Sequence, residues 1–187
     1  AVDLGLSVKW ASCNVGATTP EDCGDYYAWG EIEVKDYYDW STYKWCNGSS
    51  TTMTKYCIDS SYGTVDNKTV LDLEDDVAHV KWGGSWRMPT SEELDELLNN
   101  CNWDWVTLNG VNGYNVTGPN GNIIFLPAAG NKSGAEFNGL ATVGYYWLGS
   151  LYEFKCIRAC RLNIDGSSYN GGNYNRYLGR SVRPVSE

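Results

Sequence analysis

The sequence has 187 residues and a mass of 20.8 kDa, which is the size of one ordinary globular domain. Hydrophobic residues make up 42% and charged residues 20% of the chain, a balance that excludes an intrinsically disordered polymer. The net charge of −9 argues against a nucleic-acid partner, and the single histidine, His79, excludes zinc sites built from several imidazoles.

Charge and aromatic composition change near Trp147. Residues 1–147 hold 8 basic and 20 acidic side chains, which gives −12, whereas residues 148–187 hold 6 basic and 3 acidic side chains, which gives +3. All nine Trp residues lie at or before position 147, and five of the six Arg residues lie after it. We therefore expect a single domain over residues 1–187, with a scaffold over 1–147 and a C-terminal segment of different role.

The first predicted elements are a strand in the opening residues 1–11 and a short helix over about residues 73–81. Acidic residues at the start of that helix suit its positive N-terminal end, and a calcium site at the same acids is the alternative. Val77 and Val80 are expected to face the interior, and His79 between them is expected to be a structural residue. The acids concerned are Asp72, Glu74, Asp75 and Asp76.

A second helix is predicted over residues 89–101, P-T-S-E-E-L-D-E-L-L-N-N-C. Thr90 is a suitable N-cap, and Glu93 three residues later completes the sequence pattern of a capping box. Apolar residues then recur at the spacing of one helix face, namely at Leu94, Leu97, Leu98 and Cys101.

The remaining signals are short strands separated by Gly, Asn, Asp and Pro. The turn P-N-G-N before Asn122 predicts a hairpin. Residues 36–54 and 166–175 have no clean periodicity and are predicted to be long loops. The fold class is predicted to be α+β, with two helices packed on small antiparallel sheets. The predicted strands are residues 113–117, 122–127, 144–150, 159–164 and 181–185.

Several motifs in chain order resemble a known family. W-R-M-P-T-S-E-E-L-D-E-L (residues 86–97) and the closing G-R-S-V-R-P-V (residues 179–185) resemble the formylglycine-generating-enzyme branch of the C-type lectin fold. The opening V-D-L-G-L-S-V-K-W-A, then D-Y-Y-A-W-G-E, G-G-S-W-R-M-P-T and Y-Y-W-L-G-S, resemble the Fibrobacter succinogenes major paralogous domain of Bacteroides-type gut bacteria and their phages. The resemblance covers essentially the whole chain and implies a C-type lectin-like fold.

The resemblance also implies a function. Members of this group include variable proteins of diversity-generating retroelements, in which a template-copied C-terminal segment is mutagenised at adenines. Asn codons changed only at their adenines never yield Trp, Met, Gln, Lys or Glu, and residues 157–180 contain none of these five types. The same residues are rich in Tyr, Ser, Gly, Asn and Arg, as binding surfaces are. The resemblance thus implies that the positive charge of the segment belongs to this variant.

The C-terminal segment divides into predicted scaffold and predicted binding residues. Leu162 and Ile164 lie two apart on one strand face, so Arg161, Asn163 and Asp165 are expected to point the other way. The scaffold residues are expected to be Ala159, Leu162, Ile164, Gly179, Val182 and Pro184. The ligand-binding residues are expected to be Tyr152, Phe154, Lys155, Ile157, Arg158, Arg161, Asn163, Asp165, Ser168, Tyr169, Asn170, Asn173, Tyr174, Tyr177, Leu178 and Arg180, although Lys155 departs from the codon pattern.

The seven cysteines suggest an enzymatic alternative. Formylglycine-generating enzymes bind copper with a C-terminal cysteine pair, and thiolates suit Cu(I). The spacing of Cys156 and Cys160 differs from that of those enzymes, and Cys160 is expected to share the inward face of Leu162 as a buried thiol. Cys156 is expected to be either exposed and reactive or a disulfide partner.

The preferred interpretation is a non-enzymatic binding domain with no metal or cofactor. The sugar-binding triplets of calcium-dependent lectins are absent from the sequence. The expected partner is an unknown protein or surface ligand, met at a bacterial cell surface or on a phage virion. Neither nucleic-acid binding nor membrane insertion of this segment is expected, because the chain is acidic and has no long apolar run. A surface or adhesin module without diversification remains the structural alternative.

Overall fold

The computed structural model describes all residues from Ala1 to Glu187. It contains two helices and several small antiparallel sheets, which confirms the α+β class. A single 3-10 turn, Leu73–Asp75, precedes the first helix. In chain order the elements are β1 (Lys9–Trp10), α1 (Val77–Trp82), α2 (Ser91–Asn100), β2 (Asn102–Leu108), β3 (Val111–Thr117), β4 (Ile123–Pro127), β5 (Asn131–Ser133), β6 (Glu136–Asn138), β7 (Val143–Leu151), β8 (Arg158–Asp165), β9 (Ser168–Asn175) and β10 (Val185–Ser186).

Two three-stranded antiparallel sheets carry most of the strand pairing. One sheet has the order β2-β3-β4 and the other has the order β7-β8-β9. The predicted hairpin before Asn122 joins β3 to β4 and is confirmed. Two further pairs, β5 with β6 and β1 with β10, complete the strands. The longest helix has 10 residues, and no helix is long and apolar enough to cross a membrane.

Helix α2 matches its prediction closely because its N-terminal residues bond one another as expected. The backbone N–H of Glu93 donates to Thr90 Oγ1 at 3.2 Å, and the Thr90 N–H donates to Glu93 Oε2 at 2.8 Å. This capping box satisfies two N–H groups that a helix start otherwise leaves unpaired. Leu94 and Leu97 are buried against the second sheet, as the apolar spacing predicts.

Helix α1 begins later than predicted, at Val77 instead of residue 73. Asp76 is its N-cap, since its carboxylate accepts from the backbone N–H groups of Ala78 at 2.9 Å and His79 at 3.2 Å. The cap sets the rotation of the helix so that Val77 and Ala78 face the interior. The expectation that Val80 faces inward is wrong, because its side chain is 43% exposed.

Strand β9 replaces most of the loop predicted over residues 166–175. It pairs with β8 along its whole length, from Ser168 opposite Asp165 to Asn175 opposite Arg158. Gly and Asn have low intrinsic strand preference, so pairing with a neighbouring strand decides the conformation here. Strand β2 was also absent from the sequence-based prediction, whereas the loop predicted over residues 36–54 is confirmed.

The predicted terminal strands are much shorter than expected. Only Lys9–Trp10 and Val185–Ser186 are strand, and they pair with each other. Pro184 has no N–H to donate, which shortens the closing strand. Val185 also exchanges backbone hydrogen bonds with Arg87 at 3.0 and 2.9 Å. The start of α2 and the two ends of the chain are therefore held together.

Two apolar clusters lie on either side of the β7-β8-β9 sheet. The first core surrounds Trp29 and Trp147, and the second core surrounds Trp10 and Leu97. Alternate residues of β7 enter different cores, since Trp147 belongs to the first, whereas Tyr146 and Leu148 belong to the second. The sheet is thus fixed on both sides where Trp147 lies, and this fixes the position of the strands that follow.

Candidate functional site

Strand β8 separates core residues from polar residues by simple alternation. Leu162 and Ile164 are 2% and 1% exposed and belong to the second core. Arg161, Asn163 and Asp165 lie on the opposite face, as the sequence predicts. The predicted alternation of these five residues is confirmed. Ala159 is buried as predicted, but it lies on the same face as Arg161 and belongs to the first core.

The neighbouring strands extend that polar face. Residues directly opposite one another in an antiparallel pair share a face. Tyr145 of β7 is opposite Asn163, which in turn is opposite Asn170 of β9. We call this the outer face, and it carries Tyr145, Arg161, Asn163, Asp165, Ser168, Asn170 and Tyr174.

A cavity of about 350 Å³ lies over one end of the outer face. The β5–β6 hairpin and the segment after β9 form its other walls. We call it the arginine pocket. Five of its residues were predicted from sequence, namely Arg161, Tyr174, Tyr177, Leu178 and Arg180. Four were not, namely Asn131, Ser133, Asn138 and Tyr145.

The four residues that were missed come from outside the C-terminal segment. Asn131, Ser133 and Asn138 belong to β5 and β6, which no sequence pattern predicted. Tyr145 had a usable signal, because it alternates with Trp147 on a strand that was predicted correctly. Pairing that strand with β8 would have placed Tyr145 on the same face as Arg161.

Arg161 and Arg180 line the pocket, and Arg158 lies outside it near the same Tyr174 ring; we call the three the arginine cluster. The Nε atom of each is buried without a hydrogen-bond partner, and so is Nη1 of Arg180. None of the three forms an ion pair with a carboxylate. Arg180 is only 2% exposed. The cluster therefore holds positive charge that no acidic group of the chain neutralises.

Aromatic rings surround the arginine cluster. The Cζ atom of Arg180 lies 4.2 Å from the centre of the Trp147 ring and 5.0 Å from that of Tyr145. The Cζ atom of Arg161 lies 4.5 Å from the Tyr145 ring and 5.2 Å from the Tyr174 ring. Such cation–π contacts stabilise a guanidinium without using its hydrogen-bond donors.

The electrostatic environment disfavours the charged form of Arg161 and Arg180. Burial, followed by repulsion from the charge of Arg161, lowers the pKa of Arg180 well below its usual value. Burial also lowers the pKa of Arg161, and the nearby Tyr145 partly opposes this effect. Both pKa values are lowered because burial removes water from the guanidinium groups and no anionic partner replaces it.

A different arrangement holds Arg176, which lies in the same segment but is fully buried. Its Nη1 donates to the carbonyls of Tyr56 at 2.9 Å and Cys156 at 2.7 Å. Its Nε donates to the Tyr43 hydroxyl at 2.9 Å, and its Nη2 donates to the Lys55 carbonyl at 3.0 Å. Arg176 is thus a structural residue that joins three parts of the chain.

Arg183 is buried in the same satisfied manner. Its guanidinium donates to Asn14 Oδ1 at 2.8 Å and to the carbonyls of Ala11 and Phe125 at 3.1 and 2.9 Å. The expectation that the segment's positive charge belongs to one variant therefore needs correction. Arg176 and Arg183 hold the scaffold, and only the arginine cluster lies at the candidate site.

At the other end of the outer face the predicted residues bond to one another. The Asp165 carboxylate accepts from the hydroxyls of Ser167 at 2.8 Å and Ser168 at 2.9 Å, across the β8–β9 turn. These hydrogen bonds, with that from Ser167 the largest influence, lower the pKa of Asp165. Asn163 Nδ2 donates to Asn170 Oδ1 at 3.0 Å. Asp165 and Ser168 thus fix the turn as well as lining the surface.

Three predicted binding residues lie on the register of the core face instead of the outer face: Arg158, Tyr169 and Asn173. Tyr169 and Asn173 lie there because β9 is a strand, so its side chains alternate between faces. Arg158 lies there because it is on β8, two residues before Cys160, and shares the face of that residue. Tyr169 stacks on Trp103 with ring centres 4.6 Å apart. Arg158 donates to Asn173 Oδ1 at 3.2 Å, yet its Cζ atom still lies 5.7 Å from the Tyr174 ring.

The remaining predicted residues are separate from the arginine pocket, except Leu178. Tyr152 and Phe154 contact each other in the loop before β8, and Phe154 is 76% exposed. Lys155 in the same loop lies over the ring of Tyr62. Ile157 packs against the first core, and Leu178 belongs to that core although it lines the pocket. Ile157 and Leu178 are therefore mainly packing residues.

The cysteine pair suggested by the sequence is not the pair that the fold brings together. Cys156 is fully buried in the first core, and its Sγ lies 3.0 Å from that of Cys57. Cys160 borders the second core and contacts the Leu151 carbonyl. The expectation of an exposed Cys156 is wrong, because the loop before β8 folds inward at this residue. Burial raises the pKa of the Cys57 thiol to about 11.

The acidic cluster before α1 surrounds a lysine. Lys55 Nζ lies 2.7 Å from Asp72, 2.6 Å from Asp75 and 3.7 Å from Glu74. Its ammonium group thus occupies the place among the carboxylates that a cation would need. His79 has a structural contact, since its Nδ1 lies 3.2 Å from the Trp86 carbonyl.

Comparison with models of protein families, with curated proteins and with solved structures finds no match for this chain. The chemical character of the site follows from its own residues. They form a partly open polar and aromatic surface with a cationic pocket at one end.

Proposed function

We propose that this chain is a non-enzymatic binding protein that displays a diversified C-terminal surface on a constant scaffold. The scaffold is of the C-type lectin-like type seen in the Fibrobacter succinogenes major paralogous domain. The ligand is a protein or surface molecule met at a bacterial cell surface or on a phage virion. Residues of the outer face and its pocket make the contacts, and different variants bind different ligands.

The alternation on β8 is the observation that carries this proposal. Leu162 and Ile164 fill the second core, whereas Arg161 and Asn163 on the same strand do not enter it. A change on the outer face therefore leaves the packing that fixes the strand intact. Surface substitutions away from special features usually change stability by no more than about 0.5 kcal/mol. The outer face therefore tolerates variation at positions such as Arg161 and Asn163. Trp147 and Ala159 share that face but belong to the first core, so they must stay constant, as must the residues of the second core.

The side chains of the outer face suit recognition. Tyr174 is 43% exposed, and Tyr145 and Tyr177 line the pocket beside it. Tyrosine supplies a large contact area at low cost in conformational entropy, and arginine supplies directional donors. Binding then follows from shape and polar complementarity, with no covalent chemistry.

One backbone contact supports the C-type lectin-like assignment. The motif R-M-P-T begins at Arg87, and the closing motif G-R-S-V-R-P-V ends at Val185. These two residues exchange both backbone hydrogen bonds. The two motifs on which the resemblance depends therefore meet in the fold and join α2 to the closing strand.

The copper-dependent thiol oxidase has less support as an alternative. It requires Cys156 and Cys160 to act as a pair, but Cys156 contacts Cys57 in the first core and Cys160 borders the second. A surface module without diversification would have the same fold. It would differ only in having no template copy and no reverse transcriptase gene beside its own gene.

A library of variants displayed on particles tests the proposal on the protein itself. We expect that randomising Arg161, Asn163, Asn170, Tyr174 and Tyr177 together leaves most variants folded and yields binders to a chosen protein such as lysozyme. The physical reason is that four of the five side chains lie outside both cores, whereas Tyr177 is partly buried and packs against the first core. Folding is measured by protease resistance on the display particle, and binding is measured by enrichment over successive rounds.

The matched control randomises exposed strand positions elsewhere, Asn102, Asp104 and Thr107 on β2. This control library should fold equally well but yield fewer binders, because it presents no pocket. The proposal is wrong if most variants of the outer-face library are unfolded. It is also wrong if that library gives no more binders than the β2 library.

A further inference from the structure

The geometry points to a ligand for the arginine pocket: a carboxylate carried on a compact polar ring, held by Arg161 and Arg180. This inference rests on the proposed function, because it names the ligand chemistry for part of the same surface. It depends on the state of the guanidinium donors, the size and walls of the pocket, and the contrast with the other buried arginines.

The donors of the arginine cluster lack partners although the fold satisfies comparable donors elsewhere. Arg176 and Arg183 are as deeply buried as Arg180, yet each donates to three or more acceptors of the chain. Arg180 makes no side-chain hydrogen bond, and its Nε and Nη1 are buried. Buried polar groups without partners are rare in folded proteins and call for a specific explanation. An anion in the pocket would supply the missing countercharge, and it would accept from the buried Nε and Nη1 once the guanidinium turns toward the pocket.

The charge at the pocket points to the same conclusion. Arg161 and Arg180 repel each other, and the side chains around the Arg180 guanidinium are the aromatic rings of Tyr145, Trp147 and Tyr174. No carboxylate of the chain pairs with either guanidinium. Removing one partner of a buried ion pair is strongly unfavourable. The pocket therefore contains the cationic partner of a buried ion pair, and a ligand would supply the anionic partner.

A carboxylate fits this pocket better than a phosphate dianion. The planar fork of arginine matches a carboxylate through two parallel hydrogen bonds. The pocket is walled by Tyr145, Tyr174 and Tyr177, and desolvating a single negative charge there costs less than desolvating two. A monoanion is therefore favoured.

The size and the other walls of the pocket indicate which kind of molecule carries the carboxylate. Its volume of about 350 Å³ suits a single ring. Asn131, Ser133 and Asn138 supply neutral hydrogen-bonding groups on the wall formed by β5 and β6. A ring with hydroxyl groups, as in a sugar acid, uses these groups, whereas a plain aromatic acid leaves them unpaired.

The test uses the full chain and four defined probes: glucuronate, benzoate, glucose and inorganic phosphate. Binding is followed by isothermal calorimetry and by the NMR signals of the arginine Nε–H groups. We expect glucuronate to bind and to shift the Nε–H signals of Arg161 and Arg180. Glucose has the same ring without the carboxylate and should not bind, and benzoate should bind more weakly than glucuronate.

Single substitutions show which residues bind glucuronate. Arg161→Met should weaken glucuronate about 10- to 100-fold, because hydrogen bonds to a charged group are lost. Arg180→Lys keeps the charge but loses the fork, and it should weaken binding by a similar factor. Lys9→Met removes one positive charge from an exposed side chain of β1 and should leave binding unchanged. Thermal unfolding of each variant shows that the fold is retained.

The outcomes separate this inference from the proposed function. Absence of Nε–H shifts with both carboxylates would overturn the pocket assignment, and tighter binding of phosphate than of glucuronate would overturn the choice of a carboxylate. Benzoate binding tighter than glucuronate would overturn the polar ring. If the outer-face library yields binders while the pocket binds no anion, only this inference fails. If glucuronate binds and the library fails, the pocket stands and the diversified surface does not.

Discussion

Replacing Arg176 by methionine is expected to lower the free energy of unfolding by about 3–5 kcal/mol, one of the two largest effects for a single residue in this chain. Methionine is similar in length, so the loss comes from hydrogen bonds and not from a large cavity. The carbonyls of Tyr56, Cys156 and Lys55 and the hydroxyl of Tyr43 would lose a charged donor together. Each buried acceptor left unpaired costs about 1–3 kcal/mol. The measurement is urea unfolding at equilibrium.

Arg161→Met is the matched control for this experiment. It removes the same chemical group from the same segment, but the Nε atom of Arg161 is buried without a hydrogen-bond partner and its guanidinium is repelled by Arg158. We expect its stability to be unchanged or slightly increased. Equal losses for the two variants would contradict the distinction between an arginine whose donors are satisfied within the chain and one whose Nε is not.

Oxidation is expected to join Cys57 and Cys156, with a gain in stability of about 4–5 kcal/mol relative to the reduced chain. The two sulfur atoms lie 3.0 Å apart in the first core, and the residues are 99 positions apart in the sequence. A cross-link between distant positions restricts the unfolded chain strongly, which is the main source of the gain. Peptide mapping without reductant should recover the linked pair, and the unfolding midpoint should fall when reductant is added.

The control for oxidation uses another buried cysteine. Cys46 donates to the Trp40 carbonyl at 3.1 Å and has no thiol beside it. Cys46→Ala should keep the effect of reductant on the unfolding midpoint, whereas Cys57→Ala should abolish it. An oxidised chain with no linked peptide, or a reductant effect that survives in Cys57→Ala, would show that the contact is only packing.

The two buried states of arginine explain how the site differs from the scaffold. Arg176 and Arg183 each satisfy their donors within the chain, and they hold loops that have little regular structure. Arg161 and Arg180 leave donors unsatisfied at the edge of a cavity. Local departures from polar satisfaction concentrate at functional sites, where stability is given up for binding.

The sequence predicted those parts of the fold that depend on local patterns. The capping box of Thr90 and Glu93 located α2, and the spacing of Leu162 and Ile164 located β8 and its two faces. The side on which Arg161 lies followed from the same alternation.

Other features depend on contacts between distant residues and left no local signal. Gly171 and Gly172 are poor strand formers, so β9 is defined only by its pairing with β8. Arg176 and Arg180 look alike in the sequence, and their different roles depend on Tyr56 and Tyr145, which lie far from them along the chain. The contact between Cys57 and Cys156 likewise requires the folded arrangement of two loops.

Sequencing the DNA around the gene tests the diversified surface most directly. We expect a reverse transcriptase gene nearby and a second copy of codons 148–180 that differs from the gene only where the copy has adenine. Differences should fall on outer-face codons such as those of Arg161, Asn163 and Tyr174, and they should be absent at Leu162, Ile164 and Arg176. A locus with neither the copy nor the reverse transcriptase, or with differences at the three buried codons, would contradict this expectation.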